Sequence, residues 1–196
     1  MTLSLIASMS LFALAASLSP GPVNLLSLSS SARYGTKTGL IFVTGATLGF
    51  IVLFLLIGFG LHYVIVQLSW ITQVLQWSGI AFLLYLSYQL FTDNGELHSE
   101  KYHKAPSFMT GAIMQWLNPK AWLASLSGIA AYTPNAEATE MIIFASLYLP
   151  ICWLSLGIWV WIGKILGQYF QSPSKMRLMN KTLVILLAGS CVLILL

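Results

Sequence analysis

A lysine, two asparagines, a glutamine and three prolines stand in this chain where a lipid-facing helix has no use for them. Ser19-Pro20-Gly21-Pro22-Val23-Asn24 interrupts one long apolar stretch, and Gln115-Trp116-Leu117-Asn118-Pro119-Lys120 interrupts another. Proline lacks an N–H, so Pro119 frees the carbonyl of Gln115, while Pro20 and Pro22 free those of Ala16 and Leu18. Asparagine before proline also starts a helix: Asn is a good N-cap, Pro suits the first helical position, and a residue preceding proline is pushed out of helical geometry. Gly21-Pro22 can start a half-helix in the same way, with Asn24 in its first turn. Helix N-termini carry unpaired N–H groups and a partial positive charge, which attract anions. Lys120 adds a full charge. Donors and acceptors at one depth suit a zwitterion, its carboxylate at the helix starts and Lys120, its ammonium at the freed carbonyls. The predicted substrate-binding set is Pro20, Gly21, Pro22, Asn24, Gln115, Asn118, Pro119 and Lys120.

These residues must be held by membrane helices. With 58% hydrophobic and 7% charged residues among 196, too few polar groups exist to cover a soluble domain. A hydrocarbon core of ~30 Å needs ~20 helical residues. The apolar runs give six candidate spans: Leu3 to Ser31, Thr38 to Val66, Trp70 to Phe91, Phe108 to Tyr132, Met141 to Ile162 and Leu178 to Leu196. The expectation is an all-α integral membrane protein, one domain over residues 1–196, with broken helices in spans one and four. The start Met-Thr-Leu-Ser lacks the basic region of a secretory signal, so span one is expected to remain. As a continuous helix span one would be ~43 Å long, and tilt or unwinding at Pro20 to Pro22 must absorb the excess.

Basic residues orient the spans. Arg33 and Lys37, then Lys101 and Lys104, then Lys164, Lys175, Arg177 and Lys181 fall in or beside alternate connections, whereas Gln67 to Ser69 and Thr133 to Glu140 have none. The positive-inside rule places both termini away from the cytoplasm. This placement explains the net charge of +4 without nucleic acid. A re-entrant hairpin at Phe108 to Tyr132 would split the basic residues evenly, so a full span is expected there.

Three spans per half implies inverted repeats if the halves are related. Pro22 precedes Arg33 by eleven residues and Asn118 follows Ser107 by eleven, which sets both breaks ~16 Å deep, near the midplane. They could face each other across one site. No Asp or Glu lies in any predicted span; Asp93, Glu96, Glu100, Glu137 and Glu140 are all in connections. The partner of Lys120 is therefore water, a carbonyl or a bound anion.

Other residues have plainer readings. Ser27, Ser29, Ser30 and Ser31 either wet an inner vestibule or pack as small residues between helices. Gly45-x-x-x-Gly49 and Gly163-x-x-x-Gly167 mark close helix crossings, within the chain or in a homodimer. Cys152 and Cys191 read as small buried groups with no redox or zinc pattern. His98 and His103 with their acidic neighbours match no metal template. His62, Tyr63, Trp70 and Tyr132 fit interfacial anchors, and Trp116 and Trp122 either line the path or face lipid. No metal or other cofactor is implied.

The run Ser19-Pro20-Gly21-Pro22 with Asn24, then Arg33-Tyr34-Gly35, Gly39, Gly45 and Gly49, resembles the N-terminal signature of the LysE/RhtB family of amino-acid exporters. Gly111 to Ala121, with Asn118-Pro119-Lys120-Ala121, is similar to its second signature. The resemblance implies a secondary transporter, not an enzyme, exporting amino acids or small derivatives across a bacterial cytoplasmic membrane and driven by the proton gradient. Some family members and distant relatives carry intramembrane carboxylates; their absence here disfavours cation export and leaves Lys120 as the candidate proton carrier. A metal-ion or other small-solute exporter would want carboxylates, His or Cys in the spans, and a membrane-embedded redox protein or enzyme would want paired cysteines, a His pair or a nucleophile with a base. The sequence offers none of these at matched depth. It does not specify the amino acid, the coupling ion or the oligomeric state.

Overall fold

The computed structural model describes residues 2–61, 105–133, 137–169 and 172–195 and individual positions between 73 and 92, without the side chains of 61, 173 and 187–195. Outside the described residues lie His62, Tyr63 and Trp70, much of the expected third span, the connector with Asp93, Glu96, His98, Glu100, Lys101, His103 and Lys104, and the side chain of Cys191. Among the described residues the chain is helical and contains no strand.

Helix α1 (Leu3–Leu18) starts at Thr2, whose hydroxyl accepts from Leu5 N at 3.4 Å, and stops where Pro20 cannot continue the ladder. Helix α2 (Pro22–Tyr34) begins with proline at its first position and glycine as N-cap, and the α1–α2 pair bends by 59°. Its C-cap, Gly35, takes a φ of 88°, a left-handed turn that glycine adopts without a Cβ penalty. Helix α3 (Thr36–Leu56) runs into a π-helical turn at Ile57–Leu61, in which Gly60 has a φ of 136°. Regular α-helix ends at Leu56, and positions 62–66 of the expected second span lie outside the described residues.

Helix α4 (Phe108–Trp116) is set by a capping box in which Ser107 and Thr110 bond each other's backbone N–H. Helix α5 (Pro119–Tyr132) follows the second break. Helix α6 (Ala138–Tyr169) has 32 residues and passes through Pro150, so it exceeds the expected Met141 to Ile162 at both ends. Helix α7 (Pro173–Leu195) starts before the expected Leu178 and takes in Lys175 and Arg177. Among the described residues, Thr36–Gly60 and Ala138–Tyr169 are each long and apolar enough to cross a membrane, and α1 with α2 makes a third when taken as one broken span.

Glycine sets the closest packing. A Cβ on Gly45 would collide with the Phe108 carbonyl, one on Gly49 would lie 2.7 Å from Ala112 Cα, and Gly111 in turn faces the Phe42 carbonyl, so α3 and α4 touch backbone to backbone. Gly163 and Gly167 receive Leu28 and Ala32 of α2 in the same way. Both faces are filled within the chain, the first of the two readings given for them. Of the two readings of the serines the packed one is seen: Ser27, Ser29, Ser30 and Ser31 are all buried on α2, and Ser27 Oγ donates to Val23 O at 2.7 Å.

Toward the other end of the bundle, aromatic rings replace small residues. Phe12 of α1, Tyr132 of α5, Phe54 of α3 and Phe144 and Tyr148 of α6 form a connected cluster with centroid separations of 5.1 to 6.3 Å between partners. Phe50 extends it at 4.6 Å from Tyr148. Tyr132, expected as an interfacial anchor, packs inward, and its hydroxyl bonds Ser8 Oγ at 3.1 Å.

Candidate functional site at the meeting of two helix breaks

Each break is built locally, and tertiary packing then brings the two together. Asn118 takes extended geometry and its Oδ1 accepts from Lys120 N at 3.2 Å, which caps α5. Pro119 occupies the next position, so Lys120 becomes the second residue of α5. At the first break, Gly21 is the N-cap of α2 and supplies no side-chain cap. Asn24 Nδ2 turns back to donate to Ser17 O at 2.9 Å, which ties α2 to the end of α1.

Lys120 joins the breaks. Its Nζ donates to Ser19 O at 2.6 Å and lies 3.4 Å from Pro20 O. A carbonyl, one of the three partners open to it, is thus in place. A cation in the first turn of a helix meets the unfavourable end of that helix's dipole, whereas carbonyls just past a helix C-terminus favour it. Lys120 therefore sits at the wrong end of α5 and reaches the right end of α1. Gly21 gives it room: a Cβ there would stand 3.2 Å from Lys120 Cδ and 3.3 Å from Nζ.

The carbonyls freed by the prolines each have a donor within the chain. Leu18 O accepts from Trp159 Nε1 at 3.2 Å, Ala16 O from Ser19 Oγ at 3.1 Å, and Gln115 O from Asn118 N at 3.2 Å. An orphaned carbonyl inside a membrane protein is costly, so nearby donors take it up. The acceptors held by the lysine are instead those of Ser19 and Pro20.

Between the breaks lies a cavity of about 40 Å³. Asn24, Gln115, Asn118 and Lys120 line it, Ser17, Tyr148 and Cys152 supply further polar atoms, and Phe50 and Leu156 are among its apolar walls. Pro20, Gly21, Pro22 and Pro119 shape the backbone around it but do not line it. Sequence reasoning missed Ser17, Phe50, Tyr148, Cys152 and Leu156. Ser17 stands between two carbonyls freed by proline and was within reach; the others come from spans without a break at that point. Cys152 is buried and free, and Thr47 Oγ1 donates to its Sγ at 3.9 Å. Trp116 and Trp122 bond backbone, to Gly49 O at 3.2 Å and Trp116 O at 2.7 Å, and neither lines the cavity.

Broken apolar helices meeting at a small cavity that several polar side chains line are the arrangement of a membrane transporter. The chain belongs to the family of LysE type translocators, whose model matches residues 14–196. It is accordingly a translocator and not an enzyme. It is similar to proteins named cysteine/O-acetylserine efflux protein: 27% identical over 167 residues to that of Salmonella paratyphi A (strain ATCC 9150 / SARB42), with 80% of this chain and 84% of the relative covered. The protein of that name from Klebsiella pneumoniae subsp. pneumoniae is 28% identical over 166 residues, again across 80% and 84%. The one from Escherichia coli O1:K1 / APEC is 24% identical over the same shares. No solved structure matches the chain.

Proposed function

We propose that this protein exports small neutral amino acids or close derivatives, of the size of cysteine or O-acetylserine, across a bacterial cytoplasmic membrane as a secondary transporter. The observation that carries the reading is Lys120: a cation at a helix start, bordering a cavity whose lining includes no carboxylate. A substrate carboxylate is the natural counter-charge. The names of the relatives support a short side chain, as do Ala16, Ala121 and Ala124 around the cavity.

The cavity of about 40 Å³ has room for roughly three waters at ~10–15 Å³ each. An amino acid is larger and enters only as the half-helices part, which is the behaviour expected of an alternating-access carrier in its empty, closed form. Six spans in two inverted repeats, both termini outside the cytoplasm and drive by the proton gradient complete the proposal. They rest on the basic-residue pattern, the matched depth of the breaks and the family resemblance.

The test is export. Cells loaded with cysteine or O-acetylserine should lose it through the wild-type protein and at least about tenfold more slowly through Lys120→Met at equal protein amount, because an unpaired buried carboxylate costs more than one decade of affinity. Equal rates in the two would refute the site. A protonophore should stop uphill export; continued uphill export would refute proton coupling.

A further inference from the structure

The contact between Lys120 and the first break has a consequence for the transport cycle, and it rests on the export reading above. We infer that Lys120 is a tethered stand-in for the substrate's ammonium: in the empty carrier it occupies the Ser19 and Pro20 carbonyls that the substrate's own ammonium takes once a carboxylate has drawn the lysine away.

Three observations converge on this. First, the acceptors are already arranged for an ammonium. Ser19 O at 2.6 Å and Pro20 O at 3.4 Å from Nζ lie just beyond the last turn of α1, where carbonyl dipoles favour a cation. Second, the carbonyls that proline frees elsewhere in the two breaks are held by Trp159, Ser19 and Asn118. The pair held by the lysine is satisfied by a side chain that itself borders the cavity, whereas Ser19 and Trp159 do not. Third, the lysine is badly placed with respect to its own helix, in the first turn of α5, where an anion belongs.

A zwitterion corrects both mismatches at once. Its carboxylate pairs with Nζ near the starts of α2 and α5, and its ammonium replaces Nζ on the released carbonyls. Hydrogen bonds are exchanged and none is left unmade, so the swap avoids the cost of an orphaned buried group. A solute with only one of the two charges cannot complete it. A lone amine must evict Lys120 and offers it nothing; a lone carboxylate attracts Lys120 and strands Ser19 and Pro20. The empty carrier, with the lysine in place, keeps the two breaks bridged much as the loaded one does. That gives the unloaded protein a route back through its cycle.

The experiment measures binding to purified protein in nanodiscs with four probes: O-acetylserine, its methyl ester, its N-acetyl derivative and the decarboxylated amine. Wild-type protein should bind the parent and hold each of the other three at least about tenfold more weakly. Lys120→Met, which vacates the carbonyls, should lose the parent's affinity yet gain binding of the decarboxylated amine. An N-acetyl derivative within about threefold of the parent on wild-type protein would overturn the inference and leave Lys120 as a carboxylate anchor alone. So would the absence of any gain for the amine in a Lys120→Met protein that keeps its unfolding transition. If that variant does not fold, the wild-type series decides by itself. Failure of the parent to bind wild-type protein at all would instead overturn the export reading.

Discussion

At the scale of single residues, Asn118 does two things that a pair of substitutions can separate. Its Oδ1 caps α5 through Lys120 N, and its side chain borders the cavity. Asn118→Ala removes the cap, at a cost of about 1 kcal/mol, and should lower the detergent melting temperature modestly while transport falls. Asn118→Asp keeps a capping oxygen but sets a permanent carboxylate beside Lys120. It should retain the melting temperature and still lose most export, because the lysine then has a resident counter-charge that competes with the substrate. Undiminished export by Asn118→Asp would show that Lys120 does not read a carboxylate. The proline residues act differently: none lines the cavity, but they end α1 and begin α2 and α5, and thereby put Ser19 O, Pro20 O and Lys120 within reach of one another.

Among the elements, the half-helices are held unequally. Helices α2 and α4 are locked by glycine crossings to α6 and α3, where no side chain intervenes, while α1 and α5 meet α3 and α6 through Phe12, Tyr132, Phe54 and Phe144. Backbone contacts of this closeness leave no space for added atoms. Gly163→Leu and Gly111→Leu should therefore lower folded yield and melting temperature sharply. Gly157→Ala on the same helix as Gly163 meets nothing within 4 Å and should be neutral or stabilise by up to about 1 kcal/mol through helix propensity. Thermal unfolding in detergent distinguishes the two; a tolerated Gly163→Leu would mean that α2 and α6 pack more loosely than their backbones indicate.

For the whole molecule, the outward residues describe the solvent. Leu123, Leu154 and Trp161 are 64%, 59% and 62% exposed on separate stretches of α5 and α6, a belt that requires lipid rather than water. With Arg33, Lys37, Lys164, Lys175 and Arg177 near the helix ends of one side, the positive-inside rule predicts that a C-terminal reporter which works only outside the cytoplasm will be active. Activity of a cytoplasm-only reporter at that position would reverse the orientation.

Much of this was legible in the sequence, because its causes are local. Proline, glycine and asparagine act on their own and adjoining residues, so the ends of α1, the starts of α2 and α5, and the caps at Gly21 and Asn118 followed from residue type and order. Apolar run length likewise marked the helices, although α6 and α7 extend beyond the predicted spans because Lys164, Lys175 and Arg177 tolerate helical geometry with their charged heads turned outward. What only the tertiary structure decided depends on residues far apart in the chain. Lys120 and Ser19 are separated by 101 positions, Trp159 and Leu18 by 141, and whether a freed carbonyl awaits a ligand or is taken by an indole is settled by which helix packs beside it. The same holds for the glycine faces, filled from within the chain, and for Tyr148 and Cys152, which enter the site from a helix with no break at that level. Sequence determined where the backbone opens; packing determined which groups fill the opening, since hydrogen bonds and close contacts form between surfaces that the order of residues does not place together.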